Sequence, residues 1–468
     1  MFLNFITNVI IRGLQDGGGM VKFELSPFNI NFNFKDREHI ELLKKQIEAG
    51  YELPIEVYEE DGVYKIIDGG HSWVAYQELG REPKNVKVLT FKDDAEKIAY
   101  SRRKNINRLQ QSPVTYTKSI FEELKLRLGV KTDQEVKRIL RRLYNLKYYP
   151  NKYKPNEEDQ SNSNVAITIF KGEPITWESF VRHNLDYLDF PLWLAEMVDR
   201  GEISASHAAV LNEKKVVEKF SDDQLKRLVK LAQAVSVDAL RRGINELLEF
   251  EPEVFNVWNF RTCNPIFGKE GYPGRMPGQI VMNLLYYYTE EGDLVVDPFA
   301  GGGTTLDVCH FMNRRCVAFD LNPTRPDIKQ NDVTNGIPLD SESADFVLLD
   351  PPYSTMKKGE YTGHPNDLSN MDLNDFFKAM RKVFAESKRI LKENKCCAFI
   401  TSSLKQNGKF VDIAYSCYRI AMEEGFTPTE RIIVPYGGNE SSAGEWVKIA
   451  KEKKFMLRGY RDLIIFRK

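Results

Sequence analysis

Short apolar runs bounded by charged or turn-forming residues recur through the second half of the chain. Leu294-Val295-Val296, Cys316-Val317-Ala318-Phe319 and Phe346-Val347-Leu348-Leu349 are continuous rather than alternating, the pattern of strands buried on both faces. Amphipathic stretches of helical period separate them. The pattern predicts strands over 293–297, 315–320, near 327–332, over 345–350 and over 395–401, with helices over 303–312 and 372–393. Such alternation implies a doubly wound parallel sheet within an α/β fold. Residues 20–110 read as a smaller α+β unit, with helices over 36–49 and 71–79 and strands near 53–58, 63–68 and 85–91. Residues 111–250 read as helical: Thr176 can cap a helix running to about 187 and Ser204 one starting near Ala205, which is helix-turn-helix punctuation. The polar, turn-rich stretch 148–164 reads as a mobile insertion.

Length and composition narrow the class. A chain of 468 residues exceeds what one core usually organises, so two or three domains are expected: 20–110, 111–250 and 254–468. With 42% hydrophobic and 12% aromatic residues, wholesale disorder is excluded. The net charge of -1 conceals local basic clusters such as Lys137-Arg138-Ile139-Leu140-Arg141-Arg142, so it does not argue against a nucleic-acid partner. The six cysteines form no Cys-x-x-Cys pair and no coupled His spacing, which predicts neither a metal site nor a disulfide. Cys396-Cys397 sits in an apolar run and reads as a pair of buried strand thiols. No apolar run reaches the roughly 18 residues of a membrane span, so no membrane partner and a reducing, cytoplasmic setting are expected. Asp16-Gly17-Gly18-Gly19 before Met20 suggests a ribosome-binding sequence read through, with Met20 as an alternative start to Met1.

Two strings carry chemistry. Asp297-Pro298-Phe299-Ala300-Gly301-Gly302-Gly303-Thr304-Thr305 is a glycine turn between a strand and a helix, where backbone can approach a ligand closely. Asp350-Pro351-Pro352-Tyr353 leaves another strand, and its prolines stiffen the loop. Asp297, Asp320, Asp332 and Asp350 fall at or near strand ends, where doubly wound sheets bind ligands. Four carboxylates on one rim suit a cationic, hydroxyl-rich ligand. An exocyclic amine conjugated with a ring is a poor nucleophile, and the Asp350 carboxylate with the Pro351 carbonyl would accept its hydrogens, while Tyr353 offers a face for an extruded base. Alone, either string also fits a surface turn or a general nucleotide loop, and Asp332 also fits a cap or turn residue.

Residues 255–468 resemble the S-adenosylmethionine-dependent DNA amino-methyltransferases, which act on adenine N6 or cytosine N4. The resemblance implies S-adenosyl-L-methionine as cofactor, with Asp297, Gly301 and Gly303 around its methionine end. It implies Asp320 on the ribose hydroxyls, Asp332 on the adenine, and Phe299, Thr304 and Pro277 in the same cofactor site. The ribose-binding acid falls one strand after the glycine turn, close to the roughly 20 residues usual for such sheets. Asp350, Pro351, Pro352 and Tyr353 are implied as the catalytic loop. The segment Tyr272 to Pro277 leading into Ile280 resembles the element beside the methionine end. No recognition domain is inserted between Asp332 and Asp350.

Ile66-Ile67-Asp68-Gly69-Gly70-His71-Ser72-Trp73-Val74-Ala75 resembles the signature of ParB-like domains, with Lys104 to Arg108 and Ser112-Pro113 similar to their second box. A strand, turn and helix start make a phosphate-accepting geometry, but His71 and Ser72 stand where that family carries arginines, which puts nucleotide binding in doubt. The run from Ile175 through Pro191 to Ala208 resembles the DNA-binding middle domain of ParB-like proteins, which implies a groove-facing helix beginning at Thr176, with Arg182 and Lys171 near phosphates. Together these readings predict a ParB-like module with helix-turn-helix fused to a Rossmann-like methyltransferase domain. Its expected reaction is methyl transfer to a flipped base of duplex DNA, adenine N6 first and cytosine N4 second, as in restriction-modification. Methylation of RNA and a non-catalytic ParB-like DNA-binding regulator are the competing expectations.

Overall fold

The computed structural model describes residues 9–12, 20–29, 37–106, 113–260, 262–352, 364–406, 409–436 and 443–468. They form two compact units, Met1–Ala209 and Val210–Lys468.

The first unit opens with a five-stranded sheet of β1 (Val9–Arg12), β2 (Met20–Leu25), β3 (Ile55–Glu60), β4 (Val63–Asp68) and β5 (Val86–Val88), in the order β1-β2-β4-β3-β5. β3 and β4 form a hairpin whose two turn residues, Asp61 (φ 51) and Gly62 (φ 75), both have positive φ, as the tightest hairpin turns require. Helices Arg37–Glu48 and Gly70–Glu78 bury Ile40, Leu43, Ile47, Trp73 and Val74 with Ile55, Val57 and Ile66 of the sheet. A helical part follows, with Pro113–Leu128, Asp133–Tyr148 and Glu157–Phe170 closing on a core of Ile120, Phe121, Leu140, Ile169 and Phe180. The fully buried Arg102, on helix Asp94–Ile106, donates to Glu123 at 2.6 Å and to Glu173 at 2.9 Å, and Tyr116 adds a bond to Glu173 at 3.1 Å. Each member is hydrogen-bonded, as a buried ion cluster must be to persist.

Two expectations differ from the structure. Residues 148–164 are not a loose insertion throughout, because helix Glu157–Phe170 begins inside them. Asn156 and Asp159 form a reciprocal capping box, and Arg142 grips Asp159 with two bonds of 2.8 Å. The polar residues that suggest a loop are start signals for a helix whose apolar face, Ala166, Ile169 and Phe170, comes only in its second half. The helix from Thr176 is also shorter than expected: the Thr176 hydroxyl caps Trp177–His183, and a 3-10 turn, Leu185–Asp189, replaces the last turns. The Ser204 hydroxyl does accept from the His207 amide at the start of Ala205–Leu211.

In the second unit β6 (Leu294–Asp297), β7 (Arg315–Asp320), β8 (Lys329–Gln330), β9 (Ala344–Leu349) and β10 (Leu391–Thr401) are parallel. After the small hairpin of β11 (Leu404–Gln406) and β12 (Lys409–Val411) come β13 (Thr427–Pro435) and β14 (Tyr460–Arg467). The seven-stranded sheet has the order β13-β14-β10-β9-β6-β7-β8, with β14 antiparallel to both neighbours. This is the α/β, Rossmann-like architecture expected, with a reversed hairpin at one edge. β9 is buried along its whole length, which explains its unbroken apolar run. Helices Leu373–Ile390 and Ile413–Glu423 cover one face through Phe376, Met380, Phe384, Cys417 and Ala421. Cys396 and Cys397 both lie in β10 and are both buried, so burial pushes each thiol's pKa up. Among the described residues no helix is long and apolar enough to cross a membrane.

Candidate active site

The carboxyl ends of β7, β6, β9 and β10 open into a cleft of about 1580 Å3. β6 delivers Asp297, whose carboxylate accepts from the Phe299 amide at 2.9 Å and from the Thr305 hydroxyl. Burial pushes this carboxyl up to about 7, and the charges of Asp350 and Asp320 push in the same direction against those two bonds. β7 ends at Asp320, which accepts from the amides of Gly301 at 2.8 Å and Asn322 at 2.9 Å. Burial raises its pKa as well, against both amide bonds. One amide on each oxygen leaves lone pairs on both for a further pair of donors.

The glycines serve the site in a way the sequence did not show. Gly301 (φ 53) gives its amide to Asp320 and Gly303 (φ 85) gives its own to the Ala300 carbonyl at 2.8 Å, so these two amides are used inside the protein. What the missing side chains allow is close packing. A Cβ on Gly301 would stand 2.7 Å from the Tyr272 ring, and one on Gly303 would stand 2.6 Å from the Arg325 guanidinium. Arg325 in turn makes two bonds of 2.8 Å to Asp307 on helix Thr304–Phe311, and Asp307 accepts from the Gly268 amide at 2.7 Å. Thr324 and Lys269 hold the Gly301 and Gly302 carbonyls, at 3.0 and 2.8 Å. The turn is therefore braced from three sides before any ligand arrives.

Asp332 lies on the cleft wall just past the two-residue β8, a much shorter strand than the sequence pattern predicts because Lys329 and Gln330 are exposed. Its carboxylate caps a 3-10 turn through the Thr334 amide (3.0 Å) and hydroxyl (2.7 Å), and accepts from Asn335 at 2.8 Å and Asn366 at 2.6 Å. Burial works to raise its pKa, but these bonds win and the net shift is downward. Asp350, Pro351 and Pro352 line the cleft where β9 ends, and Tyr353 lies outside the described residues. Phe299, Gly301 and Thr304 also line it, whereas Gly303 and Pro277, which precedes helix Gly278–Tyr288, are not among its lining residues. Tyr272, which opens the segment read as lying beside the methionine end, lines the cleft; sequence reasoning missed Arg325 and Asn366, whose roles depend on contacts with residues distant in the chain.

A family model for N6/N4 methyltransferases, described as DNA methylase, matches residues 44–331, more than half of the chain. The chain belongs to the DNA methylase family. That match runs through the glycine turn and Asp320 and stops short of Asp350. Among individual relatives, the family member is 30% identical over 132 residues to the type II methyltransferase M.HpaI of Haemophilus parainfluenzae, covering 28% of this chain and 36% of that protein. It is 26% identical over 199 residues to the type II methyltransferase M.MjaII of Methanocaldococcus jannaschii, covering 42% of this chain and 33% of that protein. The chain thus spans about a third of the length of these relatives. With the solved chromosome-partitioning protein ParB of Caulobacter crescentus, complexed to the centromeric parS site, identity is 18% over 48% of this chain and 95% of that chain. The TM-score is 0.26.

Proposed function

We propose that this chain transfers a methyl group from S-adenosylmethionine to the exocyclic amine of a DNA base, adenine N6 first and cytosine N4 second. The observation that carries this reading is one cleft holding both Asp350-Pro351-Pro352 and the carboxyls of Asp297, which is buried, and Asp320, which is half-buried. A carboxyl raised to about 7 by burial and by like charges marks a place that a cationic ligand would stabilise. S-adenosylmethionine fits, since its ammonium suits Asp297 and its ribose hydroxyls suit the remaining lone pairs of Asp320. When bound it supplies an electrophilic methyl on a sulfonium. Phe299, Gly301, Thr304 and Asp332 would border it, while Gly303 and Pro277 would act from outside the lining, as the cap residues of helices Thr304–Phe311 and Gly278–Tyr288.

Asp350 and the Pro351 carbonyl accept the hydrogens of the target amine, leaving lone-pair density on nitrogen. The two prolines fix these acceptors in advance, which favours the transition state over the planar ground state. Tyr353 supplies the stacking face for the extruded base. In this reading residues 20–110 and 111–250 are a ParB-like and a helix-turn-helix part that select or hold duplex DNA, with residues 254–468 as the methyltransferase domain. The protein would work in the cytoplasm, as in restriction-modification.

The test is transfer of labelled methyl from S-adenosylmethionine to mixed-sequence duplex DNA, digested to nucleosides, for wild type and Asp350→Ala. Labelled N6-methyladenine that vanishes in the variant is the expected result. Label in RNA alone, or none despite cofactor binding, would overturn the reading.

A further inference from the structure

The rim of the cleft changes sign along the sheet. In spatial order β7, β6 and β9 contribute Asp320, Asp297 and Asp350, all carboxylates. Beyond β9 the charged lining is basic in excess: Lys405 from β11, Arg431 from the middle of β13, and Arg458 and Arg461 around the start of β14, against Asp412 and Asp462, with Ser402 just past β10. Asp462 engages Arg431 at 2.8 Å, and the Arg461 guanidinium lies 5.6 Å from the centre of the Tyr436 ring. Lys405 and Arg458 are exposed, and Arg458 is aimed by a 3.0 Å bond to the Ser402 hydroxyl. One end of the cleft thus suits a cation and the other a polyanion.

The small hairpin of β11 and β12 stands at the basic end. Its register sets Lys405 directly opposite Phe410, so the two side chains share a face. Phe410 is 65% exposed and lines the cleft, so its ring face is open to a ligand lying there. A cation and a bare aromatic side by side form a contact unit for nucleic acid: ammonium on phosphate, ring on base.

We infer that the β11–β12 hairpin is a DNA-contacting ribbon, in which Lys405 binds a backbone phosphate and Phe410 stacks on a base next to the one extruded into the cleft. The inference rests on the proposed action on DNA and locates where the polynucleotide lies relative to the reacting amine. Lys405 and Phe410 are positioning residues in this reading, since they would hold the polynucleotide and not the reacting amine.

The experiment compares full-length wild type, Lys405→Ala and Phe410→Ala for duplex DNA binding across a salt series, for kcat/KM with DNA, and for affinity for S-adenosylhomocysteine. Both exposed substitutions should lower kcat/KM for DNA fivefold or more through KM. Lys405→Ala should also lower the salt slope of DNA binding by about one, as for one lost phosphate contact, and Phe410→Ala should leave it unchanged. S-adenosylhomocysteine affinity should stay within twofold. Wild-type KM and salt slope in both variants, a parallel loss of S-adenosylhomocysteine affinity, or effects confined to RNA would overturn the ribbon. Wild type that transfers no methyl to DNA would sink the proposed reaction instead, and the binding series would still report on the ribbon.

Discussion

Two strand-to-helix turns in this molecule have nearly the same backbone. Gly69, between β4 and helix Gly70–Glu78, has φ 83 and ψ 22, while Gly303, before helix Thr304–Phe311, has φ 85 and ψ 21. In both the glycine is left-handed and occupies the cap position, and in both a Cβ would collide, with the Pro54 carbonyl at 2.7 Å in one and with Arg325 at 2.6 Å in the other. Their surroundings differ. Gly303 closes a turn between Asp297 and Asp320, two carboxyls raised by burial at a large cleft, whereas Gly69 follows Asp68 and lies against the Pro54 backbone. A glycine turn therefore fixes how a helix leaves a strand, and its neighbours decide whether a ligand has any reason to bind there.

The comparison is broken most severely at Asp350. Asp350→Ala is expected to lower methyl transfer by 10³-fold or more while S-adenosylhomocysteine binding stays within about threefold. Equal losses in both would make Asp350 part of the cofactor site. Next in size is the first unit's own charge cluster: removing one partner with Glu173→Ala leaves Arg102 buried and poorly paired, and should destabilise that unit by about 3–5 kcal/mol in urea unfolding. A change below about 1 kcal/mol would show that Glu123 suffices.

The two glycines can then be set against each other. Gly303→Ala should weaken S-adenosylhomocysteine binding by about tenfold, because strain enters beside Asp297 and Asp320. Gly69→Ala should cost the first unit about 1–3 kcal/mol and leave that binding unchanged. If both substitutions alter binding alike, the turns are not functionally distinct.

The smallest effect per step concerns pH. Asp297 has an ordinary value of 3.8 and sits at about 7 when folded. Between those values the folded protein holds a proton that the unfolded chain has lost, so this group makes stability fall as pH rises from about 4 to 7, then level off. Cofactor affinity runs the other way: an ammonium prefers the carboxylate, so binding should release a proton and weaken by up to tenfold per unit below pH 7. Calorimetry in buffers of different ionisation enthalpy measures the proton count, and zero release at pH 6 would separate Asp297 from the ligand's charge.

What could be read in advance follows from where the information lies. Asp297 to Thr305 and Asp350 to Pro352 are contiguous, and continuous apolar strands announce themselves, so the sheet and two walls of the cleft were legible. Arg325 and Asn366 were not, because each acts on a partner 18 or 34 positions away, and that pairing exists only once the chain is folded; Tyr272 was placed by its segment, but not its packing on Gly301. Helix Glu157–Phe170 escaped because its first half is polar on every face and only the Asn156 to Asp159 box marked its start. The β11–β12 ribbon, two strands of three residues, is too short for any period to show, although Asn407-Gly408 between them is a hairpin signal.

The position of β14 has a consequence for the order in which the molecule can be made. It lies between β10 and β13, yet it is synthesised after both. While the chain emerges from the ribosome, the first unit and the strands up to β10 can already assemble, but β13 has no place in the sheet until Tyr460–Arg467 has followed it out. Arg431 and Asp462, one from each late strand, meet only at that last step. A nascent chain interrupted before residue 460 would display β10 as an open sheet edge beside a homeless β13, an invitation to aggregation that the arrival of β14 withdraws.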